Sequence, residues 1–383
     1  MNRRDFLNYF GCGVLSSSFP IQAFGKVPNN HKFVIVILRG ALDGLAAFPA
    51  FGDPYLKKLR SDLINEDDYS ILDSSFFGIH NKLENTKKLF ESGDLSLFHA
   101  ISMPDVTRSH FEDQDMLEFS NKSSDTGWIG RSLEFTSSFA ISVGSTLPKI
   151  LWGSKLSSTW TPKNNNGAPD AYYDAAFLLS ESDPELHDVI SEAYEIKIIS
   201  EGSSSNGEAS VNTGNINSSV IGLSNLMLYR NGKLDVESTP DVGVLSLGGW
   251  DTHNRQIERI NNPLKNLDIT LGLLQREFSP IWNNTTVLVV TEFGRTVKSN
   301  GAGGTDHGFG SVALLMGGGV SGGKIYADWE GLKNLNENRE LKSTMDLQDI
   351  FATISHHILN VPQSKLLNVF PLKNNIKLYD LFI

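Results

Sequence analysis

The chain has 383 residues, of which 40% are hydrophobic and 20% are charged, and its formal net charge is −11. This composition is that of a globular protein with room for a large core. The acidic balance, without any Lys/Arg-rich run, argues against a nucleic-acid partner because it repels a phosphate backbone. No run of about 18 apolar residues follows residue 30, so no transmembrane helix is expected in the mature chain.

The first 25 residues have the pattern of a targeting segment. Arg3 and Arg4 precede a weakly apolar run through Leu15, and the small residue Ala23 lies where a peptidase would cut. This pattern is typical of a twin-arginine signal, which hands a folded protein to the twin-arginine export machinery. We therefore expect a periplasmic or extracellular protein. The alternative is the basic N-terminus of a cytosolic protein.

Cys12 is the only cysteine, and it lies inside this segment. Removal of residues 1–25 leaves a mature chain without thiols. Disulfides and thiolate metal sites are then excluded, and any metal ion must be held by oxygen and nitrogen ligands.

Continuous apolar runs rich in β-branched residues predict strands that are buried on both faces of a mainly parallel sheet. Phe33 to Leu38 is the clearest such run, and five strands are predicted along the chain. They are Phe33 to Leu38, Leu95 to Ile101, Val242 to Leu247, Thr286 to Val290 and Val312 to Met316.

Helical patterns lie between these strands. An apolar stripe runs from Ile257 to Phe278 in steps of three and four residues, and a second helix is predicted to begin at Asp346 as its N-cap. Strands alternating with helices predict a three-layer α/β/α architecture. We expect residues 26–383 to form one such domain, with a flexible insertion near 201–219, where Ser, Asn and Gly dominate.

Four short glycine-flanked segments carry the chemistry-bearing residues. They read RGALDG after the first strand, GGWDTH after the third, TEFGRT after the fourth and GGTDHG before the fifth. Ligands of an open α/β sheet bind beyond the carboxyl ends of its strands, where we expect these segments to meet. Carboxylates and imidazoles together suit a divalent Zn, Mn, Mg or Ca ion. The predicted metal ligands are Asp43, Asp251, His253, Glu292, Asp306 and His307.

Each of these residues also has a structural interpretation. Asp43 fits a capped turn, and the Asp251/His253 pair fits an N-cap with a surface histidine. Glu292 fits an ion pair with Arg295. The Asp306-His307 pair between glycines is the hardest to explain as part of a core. The four segments together are stronger evidence for a metal site than any one of them alone.

The segment Thr107-Arg108-Ser109 follows the second strand and offers a nucleophile. A hydroxyl that touches a metal ion attacks better than a free one, and Arg108 or Arg295 is suited to an anionic group. The alternative for Ser109 is a capping box with Glu112.

These segments resemble the bacterial family called domain of unknown function 1501, whose members commonly carry twin-arginine signals. The family is part of the alkaline phosphatase and sulfatase superfamily. The resemblance rests on VIVILRGALDG, TRSHFEDQD, LGGWDTH, VVTEFGRT and GGTDHGFGSVALLMGG, and it covers roughly residues 31–380. It implies an alkaline phosphatase-like fold.

The resemblance also implies site roles. Asp43 matches the superfamily's first-strand ligand, Ser109 its nucleophile with Thr107 second, and His307 a loop histidine. Three departures stand out. Phe293 replaces a second ligand beside Glu292, Asp251 and His253 are two residues apart instead of four, and the TRSHF segment lacks the sulfatase Cys-x-Pro-x-Arg signature.

Two functions follow from these expectations. The first is a metal-dependent hydrolase of phosphate or sulfate esters, acting on an anionic small molecule or a polysaccharide ester. The second is an envelope binding or assembly protein that keeps the scaffold without turnover. A nucleotide-binding module is not supported, because Gly317-Gly318-Gly319 lacks the Lys-Ser/Thr of a phosphate loop.

Overall fold

The computed structural model describes residues 30–162, 180 and 213–383, apart from the single positions 74, 122, 137 and 231. The predicted signal at residues 1–25 lies outside the described residues. In the described part, no helix is long and apolar enough to cross a bilayer.

The strands follow the apolar runs of the sequence, and all five predicted strands are present to within a residue or two. In chain order the strands are β1 (Lys32–Leu38), β2 (Tyr69–Ile71), β3 (Gly78–His80), β4 (Leu95–Ser102), β5 (Ala140–Val143), β6 (Ser157–Trp160), β7 (Tyr229–Arg230), β8 (Lys233–Leu234), β9 (Val242–Leu247), β10 (Thr285–Thr291), β11 (Ser311–Met316), β12 (Ile325–Tyr326) and β13 (Met345–Asp346).

α-Helices connect the strands in the described part of the chain. In chain order they are α1 (Gly44–Ala47), α2 (Leu56–Arg60), α3 (Glu84–Glu91), α4 (His110–Phe119), α5 (Trp128–Leu133), α6 (Thr213–Leu228), α7 (Gln256–Arg259), α8 (Asn261–Glu277), α9 (Leu347–His357) and α10 (Leu366–Val369).

Among the described residues, nine strands form one mainly parallel sheet in the order β12-β4-β11-β10-β1-β9-β5-β6, with β13 also pairing β4. The central strand β1 is parallel to both of its neighbours, β10 and β9. Strand β11 runs antiparallel to β10 and to β4. The mainly parallel α/β sheet of the sequence prediction is therefore confirmed, with one strand reversed.

Helices cover both faces of the sheet and complete the three predicted layers. Val34 and Val36 of β1 belong to a core with Leu223 of α6 and Leu271 of α8. Because side chains alternate along a strand, the intervening β1 residues point to the other face, where Ile35 shares a core with helices α4, α5 and α9.

One of the two predicted helices needs a small correction. The stripe from Ile257 to Phe278 is split into α7 and α8 around Ile260, and Ile257 is 43% exposed instead of buried. Asp346 caps α9 as expected, since its side chain accepts a hydrogen bond from the backbone N–H of Gln348.

The segment predicted as a flexible insertion at 201–219 is helical over part of its length. Residues 213–219 form the first turns of α6, because Val220 and Leu223 further along that helix bury an apolar face against the sheet. Residues 201–212 lie outside the described residues.

Candidate metal centre

The reversed direction of β11 brings all four glycine-flanked segments to one edge of the sheet. In β1, Leu38 pairs with Thr291 at the end of β10 and with Leu247 at the end of β9. Ser311 at the start of β11 pairs with Ile101 near the end of β4. The segment before β11 therefore lies at the same edge as the segments that follow β1, β9 and β10.

A group of four side chains meets at this edge, and we call His110, Asp251, His253 and His307 the histidine–aspartate centre. Oδ1 of Asp251 lies 3.0 Å from Nε2 of His253 and 3.5 Å from Nε2 of His307. The two histidine Nε2 atoms are 3.0 Å apart. Nε2 of His110 is 3.5 Å from the same Asp251 oxygen.

These distances fit a shared cation. Two ligands bound to one tetrahedral Zn²⁺ at about 2.0–2.1 Å lie roughly 3.3 Å apart. Ligand atoms of His110, Asp251 and His307 all lie within 4.8 Å of one another. Nitrogen and carboxylate donors without thiolates are a suitable set for such an ion.

The three histidines are held through their other ring nitrogen. Nδ1 of His110 donates to Oε1 of Glu292 at 2.8 Å, and Nδ1 of His307 donates to the carbonyl of Arg108 at 2.7 Å. Nδ1 of His253 lies 3.4 Å from Oδ1 of Asp306. When Nδ1 carries the proton, Nε2 presents a lone pair, which is how most metal-binding histidines are fixed.

Glu292 lies directly beneath the centre and is fully buried. Its Oε1 also accepts hydrogen bonds from the backbone N–H of Gly40 and from Nε2 of Gln114. Burial alone raises a carboxyl pKa, but the hydrogen bonds from His110 and its other neighbours hold the pKa of Glu292 below its usual value. An ionised Glu292 is therefore a supporting group for His110.

The titration of the centre reflects these contacts. The hydrogen bond to Glu292 raises the pKa of His110, against the opposing effect of burial. Burial lowers the pKa of His307. For Asp251, burial opposes ionisation, yet the hydrogen bond and charge of Arg295 bring the carboxyl pKa below its ordinary value. Asp251 is thus an anion beside ring nitrogens.

Arg295 organises the loops around the centre and is itself buried. Its guanidinium donates to the carbonyls of Ala41, Gly40, Thr305 and Trp250. It also donates to Oδ1 of Asp251 at 2.5 Å. The ion pair of Arg295 is made with Asp251, not with Glu292 as in the structural interpretation of Glu292. The guanidinium is engaged by protein acceptors instead of facing an open anion site.

Asp43 is at the same edge, but the structure does not bring it into the histidine–aspartate centre. Its Oδ1 caps α1 by accepting from the N–H groups of Leu45 and Ala46. Its Oδ2 is 2.5 Å from Nη2 of Arg60 and 2.6 Å from Nε2 of Gln256. Both oxygens are thus used inside the protein, as the capped-turn interpretation of Asp43 expects.

Asp306 stands at the rim of the centre, with a side chain that is 54% exposed. A hydrogen bond from Asn300 is the main reason that the Asp306 pKa is lowered. Its position next to Nδ1 of His253 gives it an orienting contact, while its exposure leaves it accessible to solvent.

The predicted nucleophile segment lies at the start of α4, immediately before His110. Ser109 occupies the N-cap position, but its side chain makes no capping hydrogen bond. The buried carboxylate of Asp113, in the first turns of α4, instead accepts from the N–H groups of Thr107 and Arg108, which precede the helix. The N-cap position of Ser109 is thus as the capping-box interpretation expects, but its side chain does not make the hydrogen bond of that box.

Thr107 and Arg108 are engaged within the protein. The Thr107 hydroxyl donates to Asp113 at 3.2 Å. Nε and Nη2 of Arg108 donate to the two oxygens of Glu340, at 2.8 and 3.0 Å. Arg108 also has a left-handed backbone with φ 68°, and its carbonyl receives the His307 hydrogen bond. Arg108 therefore acts here through its backbone, while its guanidinium is paired.

His110 is the member of the centre that the sequence did not predict. It follows Ser109 in a stretch that is typical of a helix start, and its partner Glu292 is 182 residues away along the chain. The only hint in the sequence was that His110 directly follows the nucleophile candidate Ser109 in the TRSHF segment.

A cavity of about 360 Å³ opens at the ends of β5 and β9. Leu247 and Gly248 line it from β9, Ile216 and Val220 from α6, and Asn266 from α8. The described residues around it carry no charge. It offers space for an uncharged group, and Gly248 is only three residues before Asp251.

Three solved structures are similar to this chain at low sequence identity. They are Ps i-CgsB in complex with k-i-k-neocarrahexaose (11% identity, TM-score 0.42, 89% of this chain and 75% of that chain), a protein in the alkaline phosphatase superfamily from Vibrio parahaemolyticus (10% identity, TM-score 0.37, 83% and 69%), and an alkaline phosphatase from the Antarctic bacterium TAB5 (11% identity, TM-score 0.37, 90% and 99%).

No curated protein matches the chain significantly. A family model described as "Protein of unknown function (DUF1501)" matches residues 159–375, which is more than half of the sequence. The match includes the segments that carry Asp251, His253, Glu292 and His307. The chain therefore belongs to the domain of unknown function 1501 family.

Proposed function

We propose that the protein is an exported metal-dependent hydrolase of phosphate or sulfate esters. The observation that carries the proposal is the convergence of three histidine Nε2 atoms on Oδ1 of Asp251, with each Nδ1 atom next to an acceptor of the protein. Histidines with a purely structural role do not need to direct their Nε2 atoms at the same carboxylate oxygen. Three imidazoles with one carboxylate favour Zn²⁺ over Mg²⁺ or Ca²⁺, which prefer oxygen ligands.

The proposed ligands differ from the set expected from the sequence. His110, Asp251, His253 and His307 would hold the ion, whereas Glu292 and Asp306 would orient His110 and His253. Asp43 would support the site from below. A divalent ion held there supplies a Lewis acid for an ester oxygen and a positive charge that attracts an anionic substrate.

The chain's own residues supply the remaining parts of a hydrolytic site. Ser109 lies next to His110 with a hydroxyl that makes no capping bond, so it is the first nucleophile candidate. Arg295 holds Asp251 ionised and fixed, and the Arg108 carbonyl fixes the ring of His307.

The proposal is tested by elemental analysis and ester hydrolysis on the purified full-length or mature protein. We expect about one Zn²⁺ per chain, lost in His110→Ala and in the double variant His253→Ala/His307→Ala. We also expect hydrolysis of p-nitrophenyl phosphate or p-nitrophenyl sulfate that chelators abolish and Zn²⁺ restores. If elemental analysis finds no stoichiometric divalent ion in protein that was supplied with excess metal, the proposal is ruled out.

A second candidate is a binding or assembly protein of the envelope that uses the centre without turnover. It is favoured by Arg108 and Arg295, the two arginines predicted to hold an anionic group, because both guanidiniums are already paired inside the protein. Metal binding without hydrolysis of either ester, together with an unchanged cellular phenotype in Ser109→Ala, would select this candidate.

Export is a further part of the proposal, supported by Arg3 and Arg4 ahead of the weakly apolar run through Leu15. The double substitution Arg3→Lys/Arg4→Lys is expected to retain the protein in the cytoplasm, as shown by cell fractionation. A periplasmic or secreted variant would exclude the twin-arginine route.

A further inference from the structure

A buried glutamine links the two loops that carry the histidine–aspartate centre. Gln256, the first residue of α7, is 1% exposed. Its Oε1 accepts from the Thr252 hydroxyl at 2.8 Å and from the Thr305 hydroxyl at 2.6 Å. Thr252 lies between Asp251 and His253, and Thr305 immediately precedes Asp306 and His307.

The other end of the Gln256 amide is fixed to a buried charge. Its Nε2 donates to Oδ2 of Asp43 at 2.6 Å. Because a carboxylate only accepts, the amide nitrogen of Gln256 faces Asp43 and its oxygen faces the two threonine hydroxyls. Flipping the amide would place its oxygen against the Asp43 carboxylate.

Asp43 is in turn held by Arg60, which is fully buried. Nη1 of Arg60 donates to the carbonyls of Thr296 and Val297. These carbonyls belong to the strand-like segment that pairs with the Asp306 loop, since the Thr296 N–H donates to the carbonyl of Asp306. The network thus runs from Thr252 and Thr305 through Gln256, Asp43 and Arg60 to the backbone of residues 296–297, beneath the centre.

The backbones of the two loops are also joined. The Thr305 N–H donates to the carbonyl of Thr252 at 3.1 Å, and the Gln256 N–H donates to the carbonyl of Gly303 at 2.9 Å. The 3.0 Å separation of the His253 and His307 Nε2 atoms therefore depends on the position of two loops that Gln256 ties together.

We propose that Gln256, anchored on Asp43 and Arg60, is a positioning residue that preorganises His253 and His307 for one cation. Asp43, which the superfamily pattern assigns as a ligand, serves as the base of this network. The inference deepens the proposed function and rests on it, because the cation is that of the proposed centre. Without the network, binding must first order the loops, and that cost weakens affinity.

The test removes single hydroxyls without changing side-chain shape. Thr252→Val and Thr305→Val each delete one hydrogen bond to Gln256. Thr270→Val is the matched control, because its buried hydroxyl donates only to the carbonyl of Asn266, one turn back in α8. Zn²⁺ affinity is measured by competition with a chromophoric chelator, and a Co²⁺-substituted sample reports ligand geometry through its visible absorption.

We expect about a 10- to 100-fold loss of Zn²⁺ affinity and an altered Co²⁺ spectrum in Thr252→Val and Thr305→Val, as for other outer-shell changes. Thr270→Val is expected to bind as the wild type does. Wild-type affinity and an unchanged Co²⁺ spectrum in both folded test variants would overturn the positioning role.

A metal-free measurement separates this inference from the proposed function. Amide hydrogen exchange at Thr305 and Gln256 is expected to accelerate at least tenfold in Thr252→Val, and to stay unchanged in Thr270→Val. Acceleration in Thr252→Val, found together with a wild type that binds no Zn²⁺, would sustain the network and reject the metal centre. Unchanged exchange in Thr252→Val would reject the network, whatever the wild type binds.

Discussion

Nδ1 of His110 lies 2.8 Å from Oε1 of Glu292, which is fully buried at the end of β10. A carboxylate behind an imidazole fixes the tautomer and the ring orientation of a metal-binding histidine. The pair therefore connects the interior of the sheet with the ligand that the sequence did not reveal. Its contribution to metal binding is separable from its contribution to stability.

Glu292→Gln is expected to weaken Zn²⁺ binding about 10- to 100-fold, because the neutral amide no longer holds His110 in the Nε2 lone-pair form. Asp268→Asn is the control, since Asp268 is buried and caps α3 through Asn85 and Thr86. It is expected to lower the unfolding free energy by about 1–3 kcal/mol without a change in affinity. Calorimetry and chemical unfolding measure both quantities. Equal Zn²⁺ affinities in Glu292→Gln and wild type would remove Glu292 from the site.

The loops of the centre pack backbone against backbone at Gly304. A Cβ atom there would come within 2.2 Å of the His253 carbonyl carbon and 2.4 Å of the Asn254 nitrogen. Gly304→Ala must therefore push the two loops apart. We expect it to reduce Zn²⁺ affinity at least about tenfold and to lower the unfolding free energy by about 1–3 kcal/mol.

Gly301 offers a matched control in the same turn, because nothing lies within 4 Å of a Cβ built on it. Gly301→Ala is expected to change the unfolding free energy by no more than about 0.5 kcal/mol and to leave Zn²⁺ affinity unaltered. If Gly304→Ala behaves in the same way, the close approach of the two loops does not set the geometry of the centre.

His99 predicts a pH dependence of stability away from the centre. It is fully buried in β4, stacked on Phe77, and its Nε2 lies 2.9 Å from the carbonyl of Phe48. Burial lowers the pKa of His99 from 6.5 to about 4. Between pH 6.5 and about 4, His99 is protonated in the unfolded chain but stays neutral in the folded protein. Stability from this residue is therefore complete above pH 6.5 and is lost as the pH falls toward 4.

The His99 effect is measured by urea unfolding of the wild type and His99→Gln at pH 7.5 and pH 5. A slope of up to about 1.4 kcal/mol per pH unit predicts that the stability advantage of the wild type shrinks by about 2 kcal/mol between these conditions. A constant difference between the two proteins would show that His99 does not titrate as its burial requires.

The strands could be predicted from the sequence because their signal is local. Phe33 to Leu38 and Thr286 to Val290 are apolar on both faces, as a strand buried on both faces of a sheet requires. The direction of β11 was not predictable, since its sequence is apolar in either orientation. Its reversal depends on pairing with β4, more than 200 residues earlier in the chain.

The site was predictable only in part, for a related reason. Asp251, His253 and His307 stood out because glycines beside them indicate loops and not core. The role of Asp43 depends on Gln256, 213 residues away, and on Arg60, whose position in α2 carries no sequence signal for a buried ion pair. Residue type and spacing identify candidate ligands, whereas tertiary contacts decide which oxygen remains free for a cation.

The final prediction concerns the nucleophile and separates the two candidate functions. If the protein is a hydrolase, Ser109→Ala is expected to lower kcat by at least about 10³-fold while Zn²⁺ content stays unchanged. Thr107→Val loses a hydroxyl that is already bonded to Asp113, so its kcat is expected to stay within about tenfold of the wild type.

The two variants give distinct answers when measured together by steady-state kinetics and elemental analysis. A large loss in Thr107→Val alone would assign the attack to Thr107. An active wild type with two active variants would assign the attack to water. A wild type that binds Zn²⁺ and hydrolyses neither ester would favour the binding function, because the centre would then hold its ion without a reactive hydroxyl beside it.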